Sequence, residues 1–169
     1  TNTADPFLRQ YFCDVGAYWV RKFDVDGWRL DVANELDDGF LRALRASVKA
    51  AKSDALIVGE VWENAAHYLG GDMLDSAMNY DFRRYARRFF AEQTVDAKTF
   101  DANVSTLLLR YNENALFAQL NLLDSHDVSR FLSLCGGKTE RMELAVLLQM
   151  TFPGMPCVFY GDEKGLCGE

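Results

Sequence analysis

The chain has 169 residues, 49% of them apolar, with 25 acidic against 18 basic side chains and a formal net charge of −7. That balance suits a globular chain with a sizeable core and argues against a nucleic-acid partner. No apolar run reaches membrane-spanning length, the opening TNTADPFLRQYF lacks the basic start and apolar core of a signal peptide, and the cysteines (Cys13, Cys135, Cys157, Cys167) form no CxxC pair. No membrane association, a cytoplasmic location with reduced thiols and no metal site are therefore expected.

In chain order, Asp5-Pro6 predicts a helix start, an acid at the cap followed by proline at the first helical position. This helix runs to about Lys22, with Phe7, Tyr11, Val15, Tyr18 and Trp19 as its inward stripe. Gly27 to Val32 reads as a short buried strand. Asp37 and Asp38 open a helix to about residue 52 that turns Phe40, Leu41, Leu44 and Val48 inward. ALIVGEV at 55–61 is apolar throughout, as a parallel strand covered on both faces should be. MLDSAMNY at 73–80 is the one candidate for a further strand in the long gap that follows. Helices are predicted from Asp81 to about Gln93, with Phe82, Tyr85, Phe89 and Phe90 inward, and over about 97–110, with Phe100, Val104, Leu107 and Leu108 inward. AQLNLLD at 118–124 and MPCVFYG at 155–161 read as strands. The helix between them starts at Thr139 and stops near Thr151, before Phe152-Pro153-Gly154.

Alternating strands and helices give an α/β class in one domain. Five strands are too few for a complete (β/α)8 barrel of about 250 residues, so the chain is either an open doubly wound sheet or part of a barrel.

Three polar clusters end three of these strands: Arg29 with Asp31, Gly59-Glu60-Val61-Trp62, and Asp124-Ser125-His126-Asp127. Side chains two apart on a strand share a face, so Arg29 and Asp31 point one way and Trp28 and Leu30 the other. A guanidinium neighbour favours a charged Asp31, whereas apolar neighbours favour a Glu60 that holds its proton. One charged and one protonated carboxyl is what a glycosidase needs. Asp124 reads as a buried structural acid, Arg130 as a brace for its loop and His67 as a loop residue. Arg83, Arg84, Arg87 and Arg88 read as a solvated helix face opposite Phe82, Tyr85 and Phe89.

DGWRLDVANELD (26–37), GEVW (59–62) and LLDSHD (122–127) resemble three of the four signature segments of the α-amylase family, glycoside hydrolase family 13, in the family's order. ADPFLRQYFCDVGAYWV and MPCVFYGDE resemble its flanking helix and last barrel strand. VANE, residues 32–35, is similar to the neopullulanase, cyclomaltodextrinase and maltogenic amylase group. The resemblance implies a partial (β/α)8 TIM barrel, roughly strands four to eight, with residues 1–169 as the C-terminal part of the catalytic domain. It implies retaining hydrolysis of α-glucosidic bonds in starch-type glucans or cyclodextrins. Asp31 would be the nucleophile, Glu60 the acid and then base, and Asp127 the stabiliser of the distorted sugar. His126 and Arg29 would bind sugar in the same subsite. Retention implies Asp31 and Glu60 carboxyls about 5–5.5 Å apart. Glu35 would either influence the acceptor subsite or cap the loop, and Trp62 would be either a sugar platform or a rim aromatic. No cofactor is implied. His126 and Asp127 are adjacent, so both reach one site only where the strand ends or bends.

The family's first signature segment, DxVxNH, is absent, as are its first strands and inserted domain. Glu63-Asn64, Lys164 and Cys167 also depart from the pattern. Open edges at the fourth and eighth strands predict self-association, a rearranged half-barrel or low stability, and missing substrate contacts predict an inactive fragment. The competing function is a catalytically silent, amylase-like binding or interaction subunit, which the intact Asp31, Glu60 and Asp127 argue against.

Overall fold

The structure, a computed structural model, describes residues 2–168. The chain divides between Ala77 and Met78 into two compact units.

The first unit opens with helix α1, Pro6–Phe23, capped as the sequence requires: Asp5 accepts from the Leu8 N–H at 3.0 Å and Pro6 takes the first turn. Asp24 closes it in the left-handed region, its N–H returning to Val20 O. The predicted inward stripe is wrong. Phe7, Tyr11, Tyr18 and Trp19 are exposed, and the buried face is Cys13, Gly16, Ala17 and Val20. The reason is close helix packing. α2, Asp38–Ala51, lies against the small residues of α1, and a Cβ on Gly16 would come within 2.9 Å of Leu44 Cδ1. Cys13 is buried there too. Within α2 the expected Phe40, Leu41, Leu44 and Val48 are all buried, and Asp37 caps the helix through the Phe40 N–H.

Strands β1, Gly27–Leu30, β2, Leu56–Gly59, and β3, Ser76–Ala77, form a parallel sheet in that order. Leu30 pairs with Gly59 and Gly59 with Ala77. β3 is the strand expected within 73–80. Asp75, just before it, accepts from Ile57 N–H and takes Arg45 and Lys49 of α2 at 2.7 and 2.9 Å, tying helix to sheet.

The second unit holds α3, Tyr80–Ala86, which widens into a π turn at Arg87–Ala91, then α4, Ala97–Arg110, and a short α5, Glu113–Ala118. Strand β4, Leu120–Leu122, α6, Phe131–Leu134, α7, Thr139–Thr151, and strand β5, Met155–Cys157, follow. β4 and β5 pair in parallel, and Met78 makes a parallel bridge to Leu120. Pro156 lacks an amide hydrogen but is tolerated because β5 pairs with β4 alone among the described residues. Phe82, Leu107, Leu123, Phe131 and Ala145 anchor the core.

Several expectations fail in this unit. α5 and α6 were not foreseen, and α5 claims Ala118 from the expected strand. Leu108 is exposed, because Leu107 alone faces the core on that turn of α4. Arg83 lies inward, 5% exposed, rather than on a solvated face. The architecture is α/β with parallel strands in two sheets that do not close into a barrel, that of a partial (β/α)8 barrel. Among the described residues no helix is long and apolar enough to cross a membrane.

Candidate active site

β1 ends at Leu30, two residues earlier than the sequence suggests, because Val32 adopts φ 42°, ψ 51°. A β-branched residue in the left-handed region is strained, at a cost on the order of 1–3 kcal/mol, so the surrounding contacts must hold it. They do: Val32 N–H donates to Glu60 Oε2 at 2.9 Å, and Ala33 N–H donates to the Glu60 carbonyl at 2.9 Å. The sharp turn lifts Asp31 out of the sheet, leaving its side chain 78% exposed.

Glu60 follows β2 and is buried, its side chain only 4% exposed. The apolar surroundings expected of it are corrected by the structure. The register sets Arg29 opposite Val58 and Leu30 opposite Gly59, so Arg29 and Val58 share a face and Glu60, just past the end of β2, comes within reach of Arg29. Arg29 Nη2 reaches Glu60 Oε1 at 3.0 Å while Nη1 holds Asp31 Oδ1. One planar fork thereby serves both carboxylates, which a lysine could not do. Gly59 is needed at this point: a Cβ there would sit 2.4 Å from Leu74 Cδ1 and 3.1 Å from Ala33 Cβ.

Glu35 ends the 3-10 turn Ala33–Glu35 and is exposed, and Trp62 is 45% exposed two residues beyond Glu60. His67 lies on a 3-10 turn against Asp38, its Nε2 3.0 Å from Oδ2. A groove of about 390 Å³ beside β1 is lined by Phe12, Trp28, Leu30, Phe40 and Leu44 as well as Arg29 and Asp31.

In the second unit β4 ends at Leu122, and the chain turns at His126-Asp127. The turn lets the two adjacent side chains approach each other, His126 Nε2 lying 3.1 Å from Asp127 Oδ2. Ser125 Oγ accepts from the Asp127 N–H and touches Tyr80 Oη. Asp124 is buried and accepts from the Phe131 N–H at 2.7 Å. Burial, with the carboxylate of Asp162 beside it, pushes the Asp124 carboxyl up to about 7 against the pull of Phe131 N–H and Arg83. Arg130 braces the loop by donating to Tyr160 O at 2.6 Å and to Asp162 at 3.2 Å, while its guanidinium lies over Phe159 and Tyr160. Among the described residues no cluster of His, Cys, Asp and Glu could hold a metal ion.

Two arginine contacts were not legible in the sequence, the fork of Arg29 on Glu60 and the inward Arg83. Strand register would have revealed the first. Nothing in the periodicity of α3 marks the second.

Residues 1–169 match the alpha amylase catalytic domain. The chain belongs to this family. It is 47% identical over 167 residues to a cyclomaltodextrinase of Geobacillus thermopakistaniensis (strain MAS1), covering 99% of this chain and 28% of that protein. It is 48% identical over 167 residues to neopullulanase 2 of Thermoactinomyces vulgaris, with the same two coverages. A solved cyclomaltodextrinase structure superposes with a TM-score of 0.97 at 44% identity, over 99% of this chain and 29% of that one. Within the family the chain is thus of the neopullulanase, cyclomaltodextrinase and maltogenic amylase type. It spans under a third of the length of the curated relatives it matches.

Proposed function

We propose that residues 1–169 are the C-terminal part of the catalytic barrel of a retaining α-glucan hydrolase that acts on starch-type glucans or cyclodextrins. The observation that carries this reading is the Arg29 fork, which joins an exposed carboxylate, Asp31, to a buried one, Glu60. Two carboxyl groups with such different settings suit two different tasks.

Asp31 Oδ2 attacks the anomeric carbon while Oδ1 stays on Arg29. The bond to the leaving oxygen breaks as Glu60 gives that oxygen its proton. A glycosyl ester on Asp31 results. Glu60, now charged, takes a proton from water, whose oxygen attacks the anomeric carbon and releases Asp31. Asp127 stabilises the positive charge that develops on the sugar ring, with His126 and Arg29 binding the same sugar. Trp62 and Glu35 line the adjoining positions.

The fragment alone lacks part of the substrate contacts and is inactive. It self-associates through its open strand edges, binds neither nucleic acid nor membrane and resides in the cytoplasm, in keeping with its free cysteines. The test is an assay of the full-length polypeptide on cyclodextrin, pullulan and starch, with the anomer of the first product read by NMR. Retained configuration, with activity lost in Asp31→Ala and Glu60→Gln, supports the mechanism. Unchanged turnover in either variant overturns it. Absence of any turnover by the unsubstituted protein would favour the silent binding subunit.

A further inference from the structure

Arg83 is 5% exposed, on the first turns of α3, far from where a run of four arginines would place a solvated charge. Its guanidinium donates from Nε to Leu123 O at 2.7 Å and from Nη2 to Ser129 O at 3.0 Å. Those two carbonyls are the shoulders of the turn that carries His126 and Asp127. Five residues, 124–128, lie between them, and β4 has already ended, so no strand pairing among the described residues fixes the segment between.

The inner supports of the turn come from the same side. Tyr80 Oη touches Ser125 Oγ, and Ser125 Oγ accepts the Asp127 N–H. Asp124 faces Arg83 and holds Phe131 N–H. Burial lowers the arginine's pKa, an effect that Asp124 opposes. A buried charge of this kind is costly and is retained where its geometry does something a neutral side chain cannot. The two parallel donors of one planar group set the distance between Leu123 and Ser129, and so the opening of the turn between them.

We propose that Arg83 is a positioning residue for Asp127, clamping both shoulders of its turn so that the carboxylate is held ready for the transition state. The proposal rests on the catalytic reading of Asp127 given above. Arg83 touches no substrate and acts only through the turn.

The test compares Arg83→Lys, Arg83→Met and Asp127→Asn in the full-length polypeptide, by steady-state kinetics and by hydrogen exchange. Lysine keeps the charge but cannot bridge two carbonyls, so both Arg83 variants should lose kcat by about ten- to a hundredfold with KM changed by no more than about threefold. Amides of residues 123–131 should exchange faster, with α7 and the other strands unchanged. Arg83→Lys is the milder change and serves if Arg83→Met fails to fold. A folded Arg83→Lys protein with unaltered kcat and unaltered exchange in 123–131 overturns the proposal. So does faster exchange spread over the whole second unit with kcat per folded molecule unchanged, the mark of a merely structural arginine. If Asp127→Asn retains full kcat, the catalytic reading fails, whereas the exchange data still report on the clamp itself.

Discussion

Arg29 Nη2 lies 3.0 Å from Glu60 Oε1, and the other arm of the same guanidinium holds Asp31. The link crosses between neighbouring strands, so a buried carboxylate keeps a fixed cation and an exposed carboxylate a fixed orientation. Removing the cation should therefore be costly beyond the loss of one contact. Arg29→Met should destabilise the first unit by about 2–3 kcal/mol, the lower end for a broken buried pair because Arg29 is partly exposed. The double variant Arg29→Met/Glu60→Gln should recover most of that loss. Urea unfolding of the set checks it, and equal losses in single and double variants would contradict the link.

Gly59 offers a test in which no charge changes. A methyl group there meets Leu74 and Ala33, both buried, and Ala33 belongs to the turn that bonds the Glu60 carbonyl. Gly59→Ala should cost about 1–3 kcal/mol through overpacking and should lower kcat in the full-length polypeptide by displacing Glu60. Thermal unfolding and steady-state rates measure the two effects.

Asp124 predicts a pH dependence. Its carboxyl is raised to about 7 in the folded chain, by burial and by Asp162 beside it, with Arg83 and Phe131 N–H acting in the opposite sense. The unfolded value is about 3.9. A raised acid binds its proton more tightly when folded, so its contribution is full below about pH 4 and is lost as pH rises through about 7. Asp124→Asn keeps an acceptor for Phe131 N–H and cannot ionise. At pH 8 it should be more stable than the parent by about 1 kcal/mol, seen as a Tm about 2–4 °C higher. At pH 5 the advantage should shrink. A uniform loss at both pH values would contradict the assignment.

The legible parts of this chain are those decided by local chemistry. The Asp5-Pro6 and Asp37 caps and the span Thr139–Thr151 could be read because caps and breakers act within a few residues. The carboxylates Asp31, Glu60 and Asp127 were visible as polar residues at strand ends. What could not be read depends on neighbours distant in sequence. The inward face of α1 follows from how closely α2 approaches Gly16, and tertiary packing overrode a plausible aromatic stripe. Glu60 looks apolar in its own segment and meets Arg29 only through the β1–β2 register. Arg83 sits in a basic run that reads as solvated, and only the carbonyls of Leu123 and Ser129 give it a reason to turn inward.

The exposed face of α1 carries a prediction about assembly. Phe7, Tyr11, Tyr18, Trp19 and Phe23 are all exposed, with Trp19 and Phe23 stacked at 4.8 Å. The cluster of Tyr18, Trp19 and Phe23 rings presents apolar surface of the kind that draws partners. At micromolar concentration the 169-residue chain should sediment above its monomer mass, and Trp19→Lys/Phe23→Lys should weaken the association that this face adds to that of the open strand edges. A compact, stable monomer of the unsubstituted chain would contradict this.

Trapping a covalent intermediate decides whether Asp31 is the nucleophile. A fluorinated α-glucosyl fluoride, which slows the second step more than the first, is incubated with the full-length polypeptide and the product is mapped by peptide mass spectrometry. One glycosyl adduct is expected on the peptide containing residues 26–37, located on Asp31 and absent from Asp31→Ala. An adduct on another residue, or hydrolysis with inversion and no adduct, would contradict it.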